Sequence, residues 1–467
     1  MEPLSLTAAD VADSAQGRVV HGDPGTAIGR IVIDSRTLAA GDCFVAIRGE
    51  RFDGHDFIAE AVARGAGAVV LSRDQPEPLQ RPAGVVIRVD DTTRGLQDVA
   101  REVRRRSGAR VVAITGSAGK TTTKEVAAEF LMSRYRVFRN KGNLNNHVGL
   151  PLSLLELRAR PEIAVVELGM NHPGEIRTLV GIAEPDVRVW TNVGDAHLGF
   201  FESAEAIADA KAEILEAADA EDVLIANAND ARIMARSEWF LGKVVTFGID
   251  AAADVTATHI EHRGLDGTAA ELQTPAGAAT LVTPLLGLGN LSNVLAATAV
   301  AIQFEIPVSQ IVEAARRLQP STHRGELFRL PGGITLIDDS YNSSPAALRQ
   351  VLDTVAAASG CARKVAVLGE MLELGAHTEA LHRESGRAAA AAGLDLLITV
   401  GGPAARALAD AALAAGLPSD AVVPVATRDE AAEVARVRIR PGDLVLVKGS
   451  RGIGTDLVVE RLKAEFA

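Results

Sequence analysis

Only two cysteines, Cys43 and Cys361, occur in 467 residues, and they stand far apart without metal-type spacing. A disulfide framework is thereby excluded. Aromatic residues make up 3% of the chain, and alanine supplies much of the 47% that is hydrophobic; with 23% charged residues, nothing in the composition suggests disorder. No stretch supplies the ~20 uninterrupted apolar residues of a membrane helix, so no membrane span is expected. The N-terminus "MEPLSLTAADVADSAQG" lacks a basic segment followed by an apolar core, so no secretory signal is expected and the cytoplasm is the expected location. Positive charge is in deficit: the formal net charge is −12 and the pI about 5.4, which argues against a general nucleic-acid binder. The one basic cluster, "REVRRRSGAR" at 101–110, reads as the solvated end of a helix running into a linker.

Repeated strand-then-helix alternation is what the chain does have. Its length suggests three domains, each able to bury a core. Residues 1–107 alternate short apolar runs with turns, "IGRIVIDSR", "GDCFVAIRG", "GAGAVVLS" and "GVVIRVDD", and read as a small α/β domain. Residues 108–320 carry longer units, "VVAIT", "IAVVELG", "VRVWTNVG" and "DVLIANAND", each followed by a helical pattern, as in a mostly parallel sheet with helices on both faces. Within them the Thr- and Gly-rich segment 245–285 reads as a small antiparallel patch. The alternation restarts after "STHRGELFRLPGG", giving a third, Rossmann-like α/β domain at 321–467. Lys120, Glu167, Asn192, His197, Asp339 and Lys448 all follow apolar runs, where open α/β sheets collect their ligands.

The stretch "VVAITGSAGKTTTKE" at 111–125 carries the chemistry. Gly116 and Gly119 let the backbone bend around an anion, the following helix points its positive end at the same place, Lys120 reaches the β/γ-phosphates of a nucleotide, and Thr121 offers a hydroxyl to Mg²⁺. The common phosphate-loop pattern wants glycine at 114, where this chain has Ile114, so the loop is a shortened G-x-x-G-K-T.

That loop, followed by "GNLNNHVGLPLSLL" (142–155) and "VVELGMNHPGEI" (165–176), resembles the Mur ligases, ATP-dependent amide-forming enzymes of cell-wall precursor synthesis. The likeness continues through "DAHLGFFES", "DAKAEI", "LGLGNLSNVLAA", "IDDSYNSSP", "LGEMLELG" and "VKGSRG", and so covers essentially the whole chain. The short loop is what this family uses. The "GNLNN" segment and the absence of a D-N-P-R motif favour the dipeptide-adding member. The resemblance implies that ATP phosphorylates the terminal carboxylate of UDP-N-acetylmuramoyl-tripeptide and that the amine of D-alanyl-D-alanine displaces phosphate. It also implies that the first domain binds the UDP part, and a monomer is expected.

Roles follow residue by residue from the likeness. Gly116, Ser117, Ala118, Gly119, Lys120, Thr121 and Thr122 hold the nucleotide phosphates. Two Mg²⁺ ions are implied, the first near Thr121 and Glu167, the second bound by His197 and by Lys211 in carbamylated form. Asn290 and Asn293 lie three apart at a helix start, on one face, where their amides can read adenine or Asn290 can cap the helix. Arg324 approaches the γ-phosphate, Asp339 takes the ribose hydroxyls, and Tyr341 lies beside the nucleotide. Ser35 and Arg36, then Asp53, Gly54 and His55, are the implied UDP contacts. Asn145 and Asn146 are assigned to the muramoyl-peptide, and Lys448 and Ser450 to the incoming dipeptide or the tripeptide carboxylate. Two alternatives share the loop: a folylpolyglutamate synthetase-like ligase, and a regulatory ATP-binding protein that makes no bond.

Overall fold

The computed structural model describes residues 2–466 apart from 50, 74–83, 143 and 195–198. By packing, the chain forms two compact units: residues 1–114, 134–188 and 213–222 in the first, and 115–133, 189–212 and 223–467 in the second.

The first unit opens with a five-stranded sheet in the order Arg18–His21, Val85–Arg88, Ala68–Leu71, Cys43–Val45, Ile31–Val32, parallel except for its first pair. Phe44, Ile58, Val69 and Leu71 fill its core. The helix Thr92–Ser107 is fixed at both ends by its sequence: the Asp91 carboxylate accepts from the N–H groups of Thr93 and Arg94, and Gly108, at φ 70°, turns the chain out of the helix. The arginine run is not merely solvated. Arg104 donates to the carbonyls of Ala183 and Glu184 and to Asp186, closing the exposed end of the helix Glu175–Ala183, while Arg105 pairs with Glu184 and Arg106 with Asp10. The cluster therefore staples helix ends together, which a reading of local charge cannot reveal. This unit also carries three parallel strands, with Ile163–Glu167 between Arg110–Thr115 and Val137–Arg139.

In the second unit Val223–Asn227, Lys243–Ile249 and Val255–His262 run parallel, and Val255–His262 then pairs antiparallel with Thr268–Thr274, which pairs antiparallel with Gly277–Thr283. The antiparallel patch expected at 245–285 is this hairpin. A six-stranded sheet follows in the order Glu326–Leu330, Ile334–Asp339, Asp443–Lys448, Arg363–Gly369, Leu396–Val400, Val422–Val425, with only the first pair antiparallel. Asp443–Lys448 and Leu396–Val400 are buried along their whole length, which explains unbroken runs such as "LVLV" at 444–447. The last strand in sequence sits between the second and third, so polar residues from chain positions a hundred apart meet at the strands' carboxyl ends.

Two side chains in this sheet's surroundings do structural work. Glu370 Oε1 accepts from the N–H groups of Ala404 and Ala405, at 3.1 Å each, in the first turn of the helix Pro403–Ala414. His382, fully buried, accepts from Met371 N through Nε2 at 2.9 Å and contacts Thr378 O through Nδ1 at 2.7 Å. The alanines at 388–391 form the last turn of the helix Thr378–Ala391, which packs on Pro403–Ala414. Gly386 makes the crossing close: a Cβ there would run into the Leu408 carbonyl and crowd Ala411. Replacing it with alanine overpacks helix against backbone, so Gly386→Ala is expected to destabilise by about 1–3 kcal/mol. Thermal unfolding followed by circular dichroism checks this; an unchanged midpoint contradicts the close packing.

Candidate active site

The strand Arg110–Thr115 ends in the loop Gly116–Gly119, and the helix Lys120–Met132 begins at once. Gly119 sits at φ 81°, a backbone conformation that favours glycine, and a Cβ on it would overlap Asn293 Oδ1. A Cβ on Gly116 would overlap the Thr191 hydroxyl. Both glycines are thus demanded by the close approach of neighbouring elements. Gly119 has no side chain with which to cap the helix, which leaves the positive helix start facing the loop. Lys120 Nζ donates to the Gly116 carbonyl at 2.8 Å, holding its ammonium over the loop.

The loop's N–H groups do not all converge on a ligand position. Ser117 N donates to the Asn192 carbonyl at 3.1 Å, Ala118 N donates to Asn192 Oδ1 at 2.8 Å, and Asn192 Nδ2 returns a bond to Ala118 O at 3.1 Å. The Thr191 hydroxyl donates to Ala118 O at 2.7 Å, and Ser117 Oγ contacts both Gly194 O and Gly194 N. Asn192, which the sequence marked only as polar at a strand end, is the loop's principal brace. Its signal was its position just past the strand-like run "VRVW", with Thr191 between.

Asn293 is nearly buried and accepts from Thr123 Oγ1 at 3.2 Å, while its Nδ2 donates to Asn290 Oδ1 at 3.3 Å. Asn290 Nδ2 donates to Leu286 O at 2.9 Å in the first turn of the helix Gly287–Gln303. The two asparagines are brought together beside the loop, Asn293 as its support. Thr121 and Thr122 are half-buried in the first turn of the helix. Lys211, on the helix Ala204–Ala212, is 1% exposed, and burial, then the nearby Lys120 charge, push its ammonium pKa well below the usual lysine value.

A second cluster forms at the end of the six-stranded sheet. The Arg324 guanidinium stacks 4.1 Å from the Tyr341 ring centroid, with Arg451 at 5.1 Å from the same ring. Tyr341 N donates to His323 O, and the His323 ring meets the buried Asp338 carboxylate at 2.7 Å, so the segments bearing Arg324 and Tyr341 are tied together. Neither His323 nor Asp338 was singled out from the sequence, although both flank residues that were. Lys448 Nζ donates to Asp339 Oδ2 at 2.6 Å and to Asn342 O at 2.9 Å. Ser450 Oγ accepts from Leu372 N at 2.9 Å and is also bound back into the protein, 3.5 Å from Ser343 O.

The first unit holds the remaining candidates. Glu167, almost fully buried, receives Asn145 Nδ2 on Oε1 at 2.7 Å, and its own N–H donates to Asn140 Oδ1 at 3.1 Å. Asn146 Oδ1 accepts from Val148 N and Gly149 N, so its side chain shapes the following turn. Ser35 Oγ donates to Glu60 Oε2 at 3.1 Å. Arg36 is exposed and donates to Asp34, whose carboxyl these hydrogen bonds hold down to about 2. Asp53 accepts from both the His55 backbone and the ring Nδ1, while His55 Nε2 accepts from Ser72 N. His55 is thus buried with both ring nitrogens engaged, and Gly54 packs against the backbone of Ile47. His197 lies outside the described residues.

Comparisons with known proteins cover this whole arrangement. Family models described as "Mur ligase family, catalytic domain", "Mur ligase middle domain" and "Mur ligase, glutamate ligase domain" match residues 27–104, 114–301 and 323–451. A UDP-N-acetylmuramoyl-tripeptide–D-alanyl-D-alanine ligase of Bacillus subtilis (strain 168) is 33% identical over 469 residues, covering 98% of each chain. Among solved structures, MurF from Acinetobacter baumannii matches with a TM-score of 0.89 at 31% identity, over 99% of this chain and 100% of that one. MurF ligase from Thermotoga maritima, solved in complex with ADP, matches with a TM-score of 0.81 at 30% identity, over 94% and 97%. From its first sheet to its last, and in no single segment alone, this chain belongs to the Mur ligase family.

Proposed function

We propose that the chain is an ATP-dependent ligase that joins D-alanyl-D-alanine to UDP-N-acetylmuramoyl-tripeptide. The observation that carries this is the shortened phosphate loop with Lys120 over it, in a chain whose relatives of that named activity match from end to end. We further propose three domains, 1–107, 108–320 and 321–467, a division supported by the separate family matches to 27–104, 114–301 and 323–451. Among the described residues no helix is long and apolar enough to cross a membrane. ATP and nucleotide-linked precursors are cytoplasmic compounds, which supports that location.

In this reading the helix start at Lys120 and the Lys120 ammonium bind the β/γ-phosphates, and Arg324 balances charge on the transferring group. Asp339 accepts from the ribose hydroxyls, Asn290 from the adenine side, and Tyr341 flanks the nucleotide. An oxygen of the tripeptide's terminal carboxylate attacks the γ-phosphorus, the bond to the ADP oxygen breaks, and an acyl phosphate results. The dipeptide amine then attacks the acyl carbon, loses a proton, and expels inorganic phosphate. Alignment of the groups and neutralisation of charge are the protein's contribution. Ser35, Arg36 and Asp53 are proposed to bind the UDP part, with His55 and Gly54 holding that loop's shape.

The donor chemistry suits Mg²⁺: the Thr121 hydroxyl and the Glu167 carboxylate each offer the oxygen ligand this ion prefers. Mg²⁺ would supply neutralisation of phosphate charge. Lys211 as an ammonium does not suit such an ion, but burial favours its neutral amine, and a neutral amine adds CO₂ with loss of a proton to give an anionic carbamate. That supports the carbamylated form, with His197 as a further proposed ligand.

Three outcomes test these roles. ADP release should require both the UDP-tripeptide and D-alanyl-D-alanine; release with both that does not exceed release with neither defeats the ligase reading and favours a non-ligating ATP-binding protein. Lys120→Ala should lower turnover by about three orders of magnitude with an unchanged circular dichroism spectrum. For Lys211, the folded state binds fewer protons than the unfolded state between its depressed pKa and the ordinary value of 10.5, so its burial costs stability at neutral pH and less as pH rises through that window. In carbonate-depleted buffer Lys211→Met should therefore melt higher than the parent at pH 7, with the gap narrowing towards pH 10, and should lack turnover. Partial recovery of Lys211→Ala by short carboxylates would support the carbamate, and full activity of that variant would exclude it.

A further inference from the structure

We infer that Lys448 is a positioning residue for the nucleotide: it fixes and neutralises the Asp339 carboxylate, and it does not meet a peptide carboxylate. The inference rests on the proposed role of Asp339 at the ribose. Asp339 and Lys448 are the last residues of adjacent parallel strands and stand directly opposite each other in the ladder. The Lys448 ammonium lies 2.6 Å from Asp339 Oδ2 and 2.9 Å from Asn342 O, with its side chain 3% exposed and that of Asp339 21% exposed. The cation is therefore covered and the anion reaches the surface.

Two physical consequences follow. Holding Oδ2 restricts rotation of the carboxylate, so its remaining acceptor capacity keeps one direction, and the bond to Asn342 O ties the chain between Asp339 and the helix Pro345–Ala357 to the same ammonium. A polyphosphate brought next to an uncompensated carboxylate is repelled, and the buried ammonium removes that repulsion. A peptide carboxylate, by contrast, would have to displace Asp339 from a cation already desolvated and paired. With only 3% of the lysine side chain exposed, an incoming carboxylate has little access to the ammonium.

The experiment compares kcat/KM for ATP and for 2′-deoxy-ATP in the parent, Asp339→Asn, Lys448→Met, Lys448→Arg and the Asp339→Asn/Lys448→Met double variant. A hydrogen bond to a charged group supports a preference for ATP of roughly 10-fold or more. Lys448→Met should lose that preference, raise KM for ATP and leave KM for D-alanyl-D-alanine unchanged, Lys448→Arg should restore part of the preference, and the double variant should lose no more than Asp339→Asn alone. Because the preference is a ratio within one preparation, a partly unfolded variant does not distort it. If Asp339→Asn loses the preference and Lys448→Met keeps it, or if Lys448→Met shifts only KM for the dipeptide, the inference is overturned while the ribose reading stands. If Asp339→Asn keeps the preference, the ribose reading itself falls.

Discussion

The phosphate loop has no room for a side chain at either of its glycines, and most of the candidate chemistry depends on that constraint. Thr191 crowds Gly116 and Asn293 crowds Gly119, so the loop takes its curvature from a strand end on one side and a helix on the other. A short loop leaves fewer backbone N–H groups to grip an anion than the longer common pattern. Here two of them, on Ser117 and Ala118, are already committed to Asn192. In the proposed reading the helix start and the Lys120 ammonium carry most of the attraction for a phosphate.

The same economy appears wherever charge is buried. Asn145 supports the Glu167 carboxylate, Asp338 the His323 ring, and Lys448 the Asp339 carboxylate. In the last two pairs the more exposed group, His323 or Asp339, is held by a partner with almost no access to solvent, which fixes its orientation. Lys211 is different in kind: its neighbourhood adds positive charge from Lys120, and its burial favours a neutral amine.

The loop was legible in the sequence because its signals are contiguous: an apolar strand, two glycines, a lysine and threonines within fifteen residues. The antiparallel hairpin after 245 and the restart of α/β alternation after 320 were legible for the same reason, since pattern and composition change together. Pairings such as Asn192 with Ala118, or Lys448 with Asp339, were hidden, because they depend on which strands become neighbours. The strand Asp443–Lys448 comes last in the chain yet lies between strands that precede it, and no local pattern announces that insertion. His55 shows the opposite difficulty: beside Asp53 and Gly54 it has the look of a ligand-binding histidine, but a carboxylate two residues away and a backbone N–H use both its nitrogens. The arginines at 104–106 looked like ordinary surface charge because their partners, at positions 10, 184 and 186, lie outside any local window.

Glu370 gives the Rossmann-like sheet a particular character. In sheets of this outline, the amide groups at the beginning of a helix after a strand commonly receive a cofactor's pyrophosphate. At the helix beginning with Pro403 those amides are met by the protein's own Glu370 carboxylate. The lobe thus has a dinucleotide binder's outline with those amides occupied from within, and the proposed nucleotide contacts Arg324, Asp339 and Tyr341 lie towards the other edge of its sheet.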